Sequence, residues 1–417
     1  SITTGIVNTL IGALAGDSLT DADNNVAVGG GALITDTLGS KSVAIGTDAL
    51  SAQNFTTATD SFSTAVGFRA GVALTTGVEN TLIGGLAGDA ITTGYYNTAL
   101  GKNALTTNTL SALNVAIGHS ALEAMSAGGG ETHNVAVGVY AGRSVTSGVQ
   151  NTIVGGLAGD ALTDADANTA IGIAALSSDT LGSKSVAIGS NALNVQNFTT
   201  ATDSLNVAVG HLAGVAVTTG IKNAFGGASA GESTTTGSQN TFFGMAARGS
   251  GATVSNEIVV GFNQVARGAG TVTFGTSGTF SSISLGGTSI SGSSDERLKN
   301  NITSSTAGLA FINDLRPVTY DWKNKGDIPS SSNAYVEGST ERFNDTDKVL
   351  HGFIAQEVKA VIDDHAEIKS GHGLWKSGVD DIQEVAPAAL IPMLVKAIQE
   401  QSALITALTA RITTLEG

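Results

Sequence analysis

The run Ser294-Asp295-Glu296-Arg297-Leu298-Lys299 holds two side chains whose types and spacing could do covalent chemistry. A serine hydroxyl is a weak nucleophile until a base removes its proton. A lysine serves as that base only when burial or a nearby cation lowers its pKa. Arg297 is such a cation, and five residues put Ser294 and Lys299 within reach of each other if a turn lies between them. A plainer reading of the same residues has Ser294 capping a helix that begins near Asp295, with Lys299 on its solvated face.

Other candidate groups are weaker. Asp21, Asp23 and Asn25, with copies Asp164, Asp166 and Asn168, open like a calcium loop. They lack its sixth-position glycine (Val26 stands there) and its twelfth-position glutamate (Ala32), so a solvated turn is expected and no metal ligand set is assigned. His119, His133 and His211 are isolated and read as surface residues. Gly128-Gly129-Gly130 has no following Lys-Ser/Thr, so it is a loop and not a phosphate cradle. No cofactor is implied.

The elements that must position these groups change near residue 290. All four prolines (Pro317, Pro329, Pro387, Pro392) and both tryptophans (Trp322, Trp375) lie beyond it. The first 293 residues hold 8 Lys/Arg and 17 Asp/Glu, a net of −9, which leaves −6 of the total −15 for the rest. An acidic chain is a poor phosphate-backbone binder, so no nucleic acid is expected. The absence of cysteine excludes disulfides and thiolate metal sites. There is no signal peptide and no apolar run near 18 residues, so no membrane span is expected. The repeat is already running at Ser1, and a preceding segment is expected to join the chain to an upstream component.

The early part repeats Asn/Ser-x-Ala-Val/Ile-Gly with an alanine three residues later, as in Asn114-Val115-Ala116-Ile117-Gly118. The motif glycines fall at 12, 29, 46, 67, 84, 101, 118, 138, 155, 172, 189, 210, 227, 244 and 261. Most steps are 17 residues and three are 20 or 21. A longer copy is offset by 143, since Gln53-Asn54-Phe55-Thr56-Thr57 returns at Gln196 (196 − 53). Seventeen residues are too few for two helices, so each unit reads as one coil of a parallel β stack. Fifteen coils at about 4.8 Å give roughly 70 Å. The glycine ends each strand where φ is positive or backbones approach closely. With few aromatics, a single coil has little to bury, so an oligomer, most simply a homotrimer, is expected to supply the missing core.

This pattern, from about Asn8 to Gly261, resembles the left-handed β-roll heads of trimeric autotransporter adhesins. Beyond it, Thr271-Val272-Thr273-Phe274-Gly275 and Ser282-Ile283-Ser284-Leu285-Gly286 read as a β stem over 262–293. Three further blocks follow: Ser294 to Ile302, Leu315-Arg316-Pro317-Val318-Thr319-Tyr320-Asp321-Trp322-Lys323, and His351-Gly352-Phe353-Ile354-Ala355-Gln356-Glu357-Val358. In this order, near a C-terminus and after a fibre, they resemble the endosialidase-type intramolecular chaperone and auto-processing peptidase of phage tail fibres and tailspikes.

That resemblance implies trimerisation, folding assistance, and then cleavage of Ser293–Ser294. It makes Ser294 the nucleophile and Lys299 its base, with His351 and Gln356 as supporting residues that serve equally as packing or trimer contacts. The polar loop between Lys323 and Lys348 takes no catalytic role and is expected to clasp the stem. Residues 391–417 read as a coiled-coil helix, since Ile391, Leu394, Ile398, Gln401, Ile405, Leu408, Ile412 and Leu415 step by three and four, the alternative being a helix packed on its own domain.

The expected architecture is therefore mostly β: a trimeric parallel β-roll or β-helix over 1–261, a β stem, an α+β chaperone domain over 294–390, and the coiled coil. The expected function is a structural fibre of a phage or phage-like particle, with a host surface glycan or protein receptor as possible partner. Any receptor would meet insertion loops such as 47–63 and 190–205, or a missing segment. The alternatives are a trimeric cell-surface adhesin, whose membrane-anchoring barrel is absent here, and a polysaccharide-degrading tailspike with a site between subunits.

Overall fold

The computed structural model describes all residues except 1, 127, 278, 285–290, 293, 331, 333, 345–348, 370 and 378–381. The chain divides into two compact units, Ser1–Ser294 and Asp295–Gly417.

The first unit is a β-solenoid. Among the described residues its main sheet has eighteen strands, all parallel except the last two, which leaves sixteen stacked rungs. Each rung is a strand of three residues for most of the stack, in register with the next, as in Val115↔Val135, Ala116↔Ala136 and Ile117↔Val137. There is one rung more than the glycine count, because Thr271–Thr276 pairs parallel with Glu257–Val260. The chain then reverses into an antiparallel hairpin with Thr279–Ser284.

The central residue of the triplets after the first points inward and is buried, as Ala27, Ala44, Ala116 and Ala187 are, while Leu10 of the end rung is half-buried. The alanine three residues after the glycine is buried too from Gly29 to Gly244 (Ala32, Ala49, Ala104, Ala121), as a crowded corner demands. Where Leu82 replaces the central alanine, glycines make room: a Cβ on Gly71 or Gly88 would lie 2.7 or 2.8 Å from its methyl carbons. Phe225 sits likewise beside Gly214 and Gly231. Large and small residues thus alternate to keep the interior close-packed.

A single chain therefore carries one continuous core of its own through the array. This corrects the expectation that one coil has too little to bury. The coils are stacked, so each alanine is covered by its neighbours above and below, and aromatic content is a poor measure of burial in a solenoid.

The motif asparagines form a second internal ladder. Asn151 Nδ2 donates to the Ala165 carbonyl (2.7 Å), and its Oδ1 accepts from the Asn168 backbone N–H (3.0 Å). Its own backbone N–H donates to Asn134 Oδ1 (2.9 Å). Serine replaces asparagine at positions 42, 63 and 185, and the first and last of these share one solution. There the insertion supplies the missing amide: Gln53 Nε2 donates to Ser42 Oγ (2.9 Å) and to Asp36 Oδ2 (2.7 Å). The other Asp36 oxygen accepts from the Gly39 and Phe55 amides, both at 3.1 Å. Asp179 and Gln196 repeat the arrangement. The insertion is thus an ordered element, anchored on buried Asp36 of the preceding coil. Its Thr59–Asp60 strand pairs with Gly39–Ser40.

Asn151→Ala leaves the Ala165 carbonyl and the Asn168 N–H unpaired in a dry interior. At about 1–3 kcal/mol for each of the two orphaned groups, the variant is expected to lose roughly 2–6 kcal/mol. Denaturant unfolding followed by circular dichroism measures it, and a loss below about 0.5 kcal/mol, the level of an ordinary surface change, contradicts the ladder's role.

The Asp-x-Asp turns are also tied into the stack. Asp23 Oδ1 accepts from the Ile6 N–H (2.7 Å), Asp166 Oδ1 from the Val149 N–H (2.8 Å), and Asp164 Oδ1 from Ser147 Oγ (2.7 Å). Their carboxylates stitch rungs together. His119 meets the Tyr140 ring edge-on, and Glu131 near His133 belongs to a short strand beside Ser111–Ala112.

The second unit mixes short strands and helices: α1 (Leu309–Asp314), α2 (Ala355–Asp364), α3 (Ala366–Lys369) and α4 (Ile391–Glu416). Phe311, Leu315, Val358, Ile362, Ile368, Leu374 and Leu390 form its core. No helix among the described residues is long and apolar enough to cross a membrane.

Candidate processing site

Ser294 is the last residue of the first unit and is exposed. Ser293 lies outside the described residues, and with it one side of the Ser293–Ser294 bond. Residues Glu296–Leu298 form a single 3-10 turn, so a turn does separate Ser294 from Lys299 in the chain. The cap of that turn is Asp295, one residue later than the cap read from the sequence. Its Oδ1 accepts from the Arg297 N–H at 2.9 Å. Asp295 also holds the Arg297 guanidinium, through Nε (3.0 Å) and Nη2 (2.6 Å). This pairing lowers the Asp295 pKa and raises that of Arg297. The cation nearest in sequence to Lys299 is therefore already matched by a carboxylate. Lys299 closes the turn with its N–H on the Glu296 carbonyl (3.0 Å), and its side chain is exposed. One chain alone does not bury Lys299, and burial is what its use as a base requires.

The second and third sequence blocks hold each other. Strand Val318–Tyr320 pairs antiparallel with Leu350–Gly352, setting Thr319 opposite His351. The Arg316 guanidinium grips both oxygens of Glu357 at the start of α2. That contact lowers the Glu357 pKa and raises that of Arg316. The spacing of these blocks thus encodes a two-point clasp. His351, mid-strand, and Gln356, the second residue of α2, are both exposed.

The loop after Trp322 closes on itself. Lys325 pairs with Glu341 (2.8 Å), the Phe343 N–H donates to the Lys323 carbonyl (2.8 Å), and the Phe343 ring lies 5.2 Å from that of Trp322. Two contacts had no signal in the sequence, because they join residues far apart in the chain. One is His365 between Asp314 and Glu367. The other is the Leu309 N–H, which donates to Glu400 Oε2 (2.8 Å) across 91 residues.

The chain thus has two parts, a long solenoid and a small α+β unit with a one-turn Ser-to-Lys segment at its start. Residues 294–367 match the protein family described as the chaperone of endosialidase. The match and the β-solenoid together fit a tail fibre with a C-terminal chaperone domain. No curated protein and no solved structure matches the chain.

Proposed function

We propose that the chain is the subunit of a trimeric fibre, an extracellular appendage of a phage or phage-like particle that serves host attachment. Its C-terminal unit directs assembly and then cuts itself away at Ser293–Ser294. The observation that carries this reading is the chaperone-family match at 294–367, directly downstream of the solenoid.

Two surfaces support the assembly. The outward positions of all sixteen rungs hold only Thr, Val, Ile, Leu, Phe, Ala or Gly, in a chain of net charge −15. They stay open to solvent on the single chain, Ile11 at 60% and Phe243 at 53%. A charge-free face some 70 Å long, at about 4.8 Å per rung, suits a second copy of itself better than water. In α4, Ile391, Leu394, Ile398, Ile405, Leu408, Ile412 and Leu415 are likewise exposed. Their heptad spacing is that of a seam that other copies fill.

In the cut, the Ser294 hydroxyl adds to the Ser293 carbonyl carbon while the neutral Lys299 amine takes the hydroxyl proton. The C–N bond to Ser294 then breaks, the amine leaves with a proton, and water hydrolyses the resulting ester. Packing between chains is what desolvates Lys299, so assembly gates the reaction. Ser294→Ala and Lys299→Ala are each expected to give one full-length band on a denaturing gel while native mass spectrometry still finds trimers. Wild-type processing in both variants rules out the dyad, and a monomer by native mass rules out the assembly.

A further inference from the structure

The helix α1 has six residues, too few to hold itself, and Gly308 gives it no side-chain cap. Both its ends are fixed by charged groups from elsewhere. At its start, Glu400 of α4 takes the Leu309 N–H. A Cβ on Gly308 would lie 2.4 Å from Glu400 Oε2, so glycine admits that carboxylate. At its end, Asp314 Oδ2 meets His365 Nε2 at 2.8 Å, while the other ring nitrogen, Nδ1, meets Glu367 Oε1 at 2.9 Å. The His365 side chain is 14% exposed and packs edge-on against the fully buried Phe311 ring of α1.

An imidazole with a carboxylate oxygen on each nitrogen satisfies both only when it carries both protons. The neutral ring donates once and turns a lone pair toward the second carboxylate. We propose that His365 is a protonation latch that docks the C-terminal end of α1 when charged and releases it when neutral, giving the chaperone unit a pH-dependent grip. Among the described residues, the charged groups facing the ring are Asp314 from α1 and Glu367 from α3. On α2, neighbouring Asp363 is engaged by Lys359, and its carbonyl accepts from Lys369.

The electrostatics run the same way. Glu367 first, then Asp314, raise the His365 pKa above its usual value, and His365 lowers that of Glu367. A raised imidazole value gives stability that is complete below the unfolded-state pKa, near 6.5, and is lost as pH climbs through the folded-state value. A lowered carboxylate value gives stability lost on strong acidification. The latch is therefore closed below the ordinary imidazole range and opens as pH climbs through the raised His365 value. The inference rests on the fold of this unit and not on the chaperone reading.

Both tryptophans, Trp322 and Trp375, lie in this unit, so their fluorescence in the full chain reports on it alone. The experiment is urea unfolding of the full chain between pH 5.5 and 9. The wild-type midpoint is expected to fall as pH rises, the unfolding constant growing by at most about tenfold per pH unit, the limit for one proton. His365→Gln is expected to flatten that dependence, and Asp314→Asn to weaken it. A flat wild-type profile overturns the latch, as does an undiminished slope in His365→Gln. If His365→Gln does not fold, an undiminished slope in Asp314→Asn overturns it equally.

Discussion

Gly118→Ala is expected to prevent the solenoid from folding. A Cβ at this position would lie 2.4 Å from the Gly138 carbonyl oxygen and 2.6 Å from its carbon. Both are backbone atoms of the next rung, and rungs are held at about 4.8 Å by their own hydrogen bonds, so neither can move aside alone. The residue also sits at φ +133°, which costs an L-residue on the order of 1–3 kcal/mol before any overlap is counted. Opening the stack by the ångström that relieves the clash breaks the ladder on both sides.

The matched control is Gly30→Ala, where an added Cβ meets nothing within 4 Å and φ is not positive. That variant is expected to stay within about 0.5 kcal/mol of wild type. Soluble yield and denaturant unfolding of the two proteins side by side give the answer. Equal stability of the two variants contradicts the stacking argument.

Deleting residues 294–417 from the gene is expected to abolish trimer formation, while the same segment removed after assembly leaves a folded trimer. Sixteen rungs with nearly the same outward face can dock onto another copy one rung out of step with little loss of contact. Register between chains is thus weakly specified along the array itself. Clamping the ends before the long faces meet removes the misaligned choices, and pairing of distant segments is slow enough for the clamp to act first. Once formed, the assembly persists because it unfolds slowly, with no further need of the clamp. Native mass spectrometry and sedimentation of the truncated product measure this. Because one chain carries its own solenoid core, a folded monomer of residues 1–293 is an allowed product; a correctly formed, soluble trimer is the result that rules the clamp out.

The sequence by itself determined the solenoid. The glycine period, the small buried residues and the asparagine column recur at fixed spacing, and a repeat writes its geometry locally: each rung meets only the rungs above and below. Gly118, Ala116 and Asn114 could be placed from one unit and transferred to the others. The Ser294-to-Lys299 block was legible for the same reason, being contiguous.

The tertiary structure alone decided the matters that join distant residues. It showed that Ala27 and its equivalents face inward while Val26 and Val28 face out, which gives the single chain a core and moves the apolar surface outside. It showed Gln53 filling in for the amide that Ser42 lacks, a pairing across an insertion that breaks the period. It set Arg316 on Glu357, His365 between Asp314 and Glu367, and Glu400 on Leu309. Period and pattern carry no record of such contacts, because a hydrogen bond between residues 91 positions apart is fixed by how helices pack and not by any spacing along the chain.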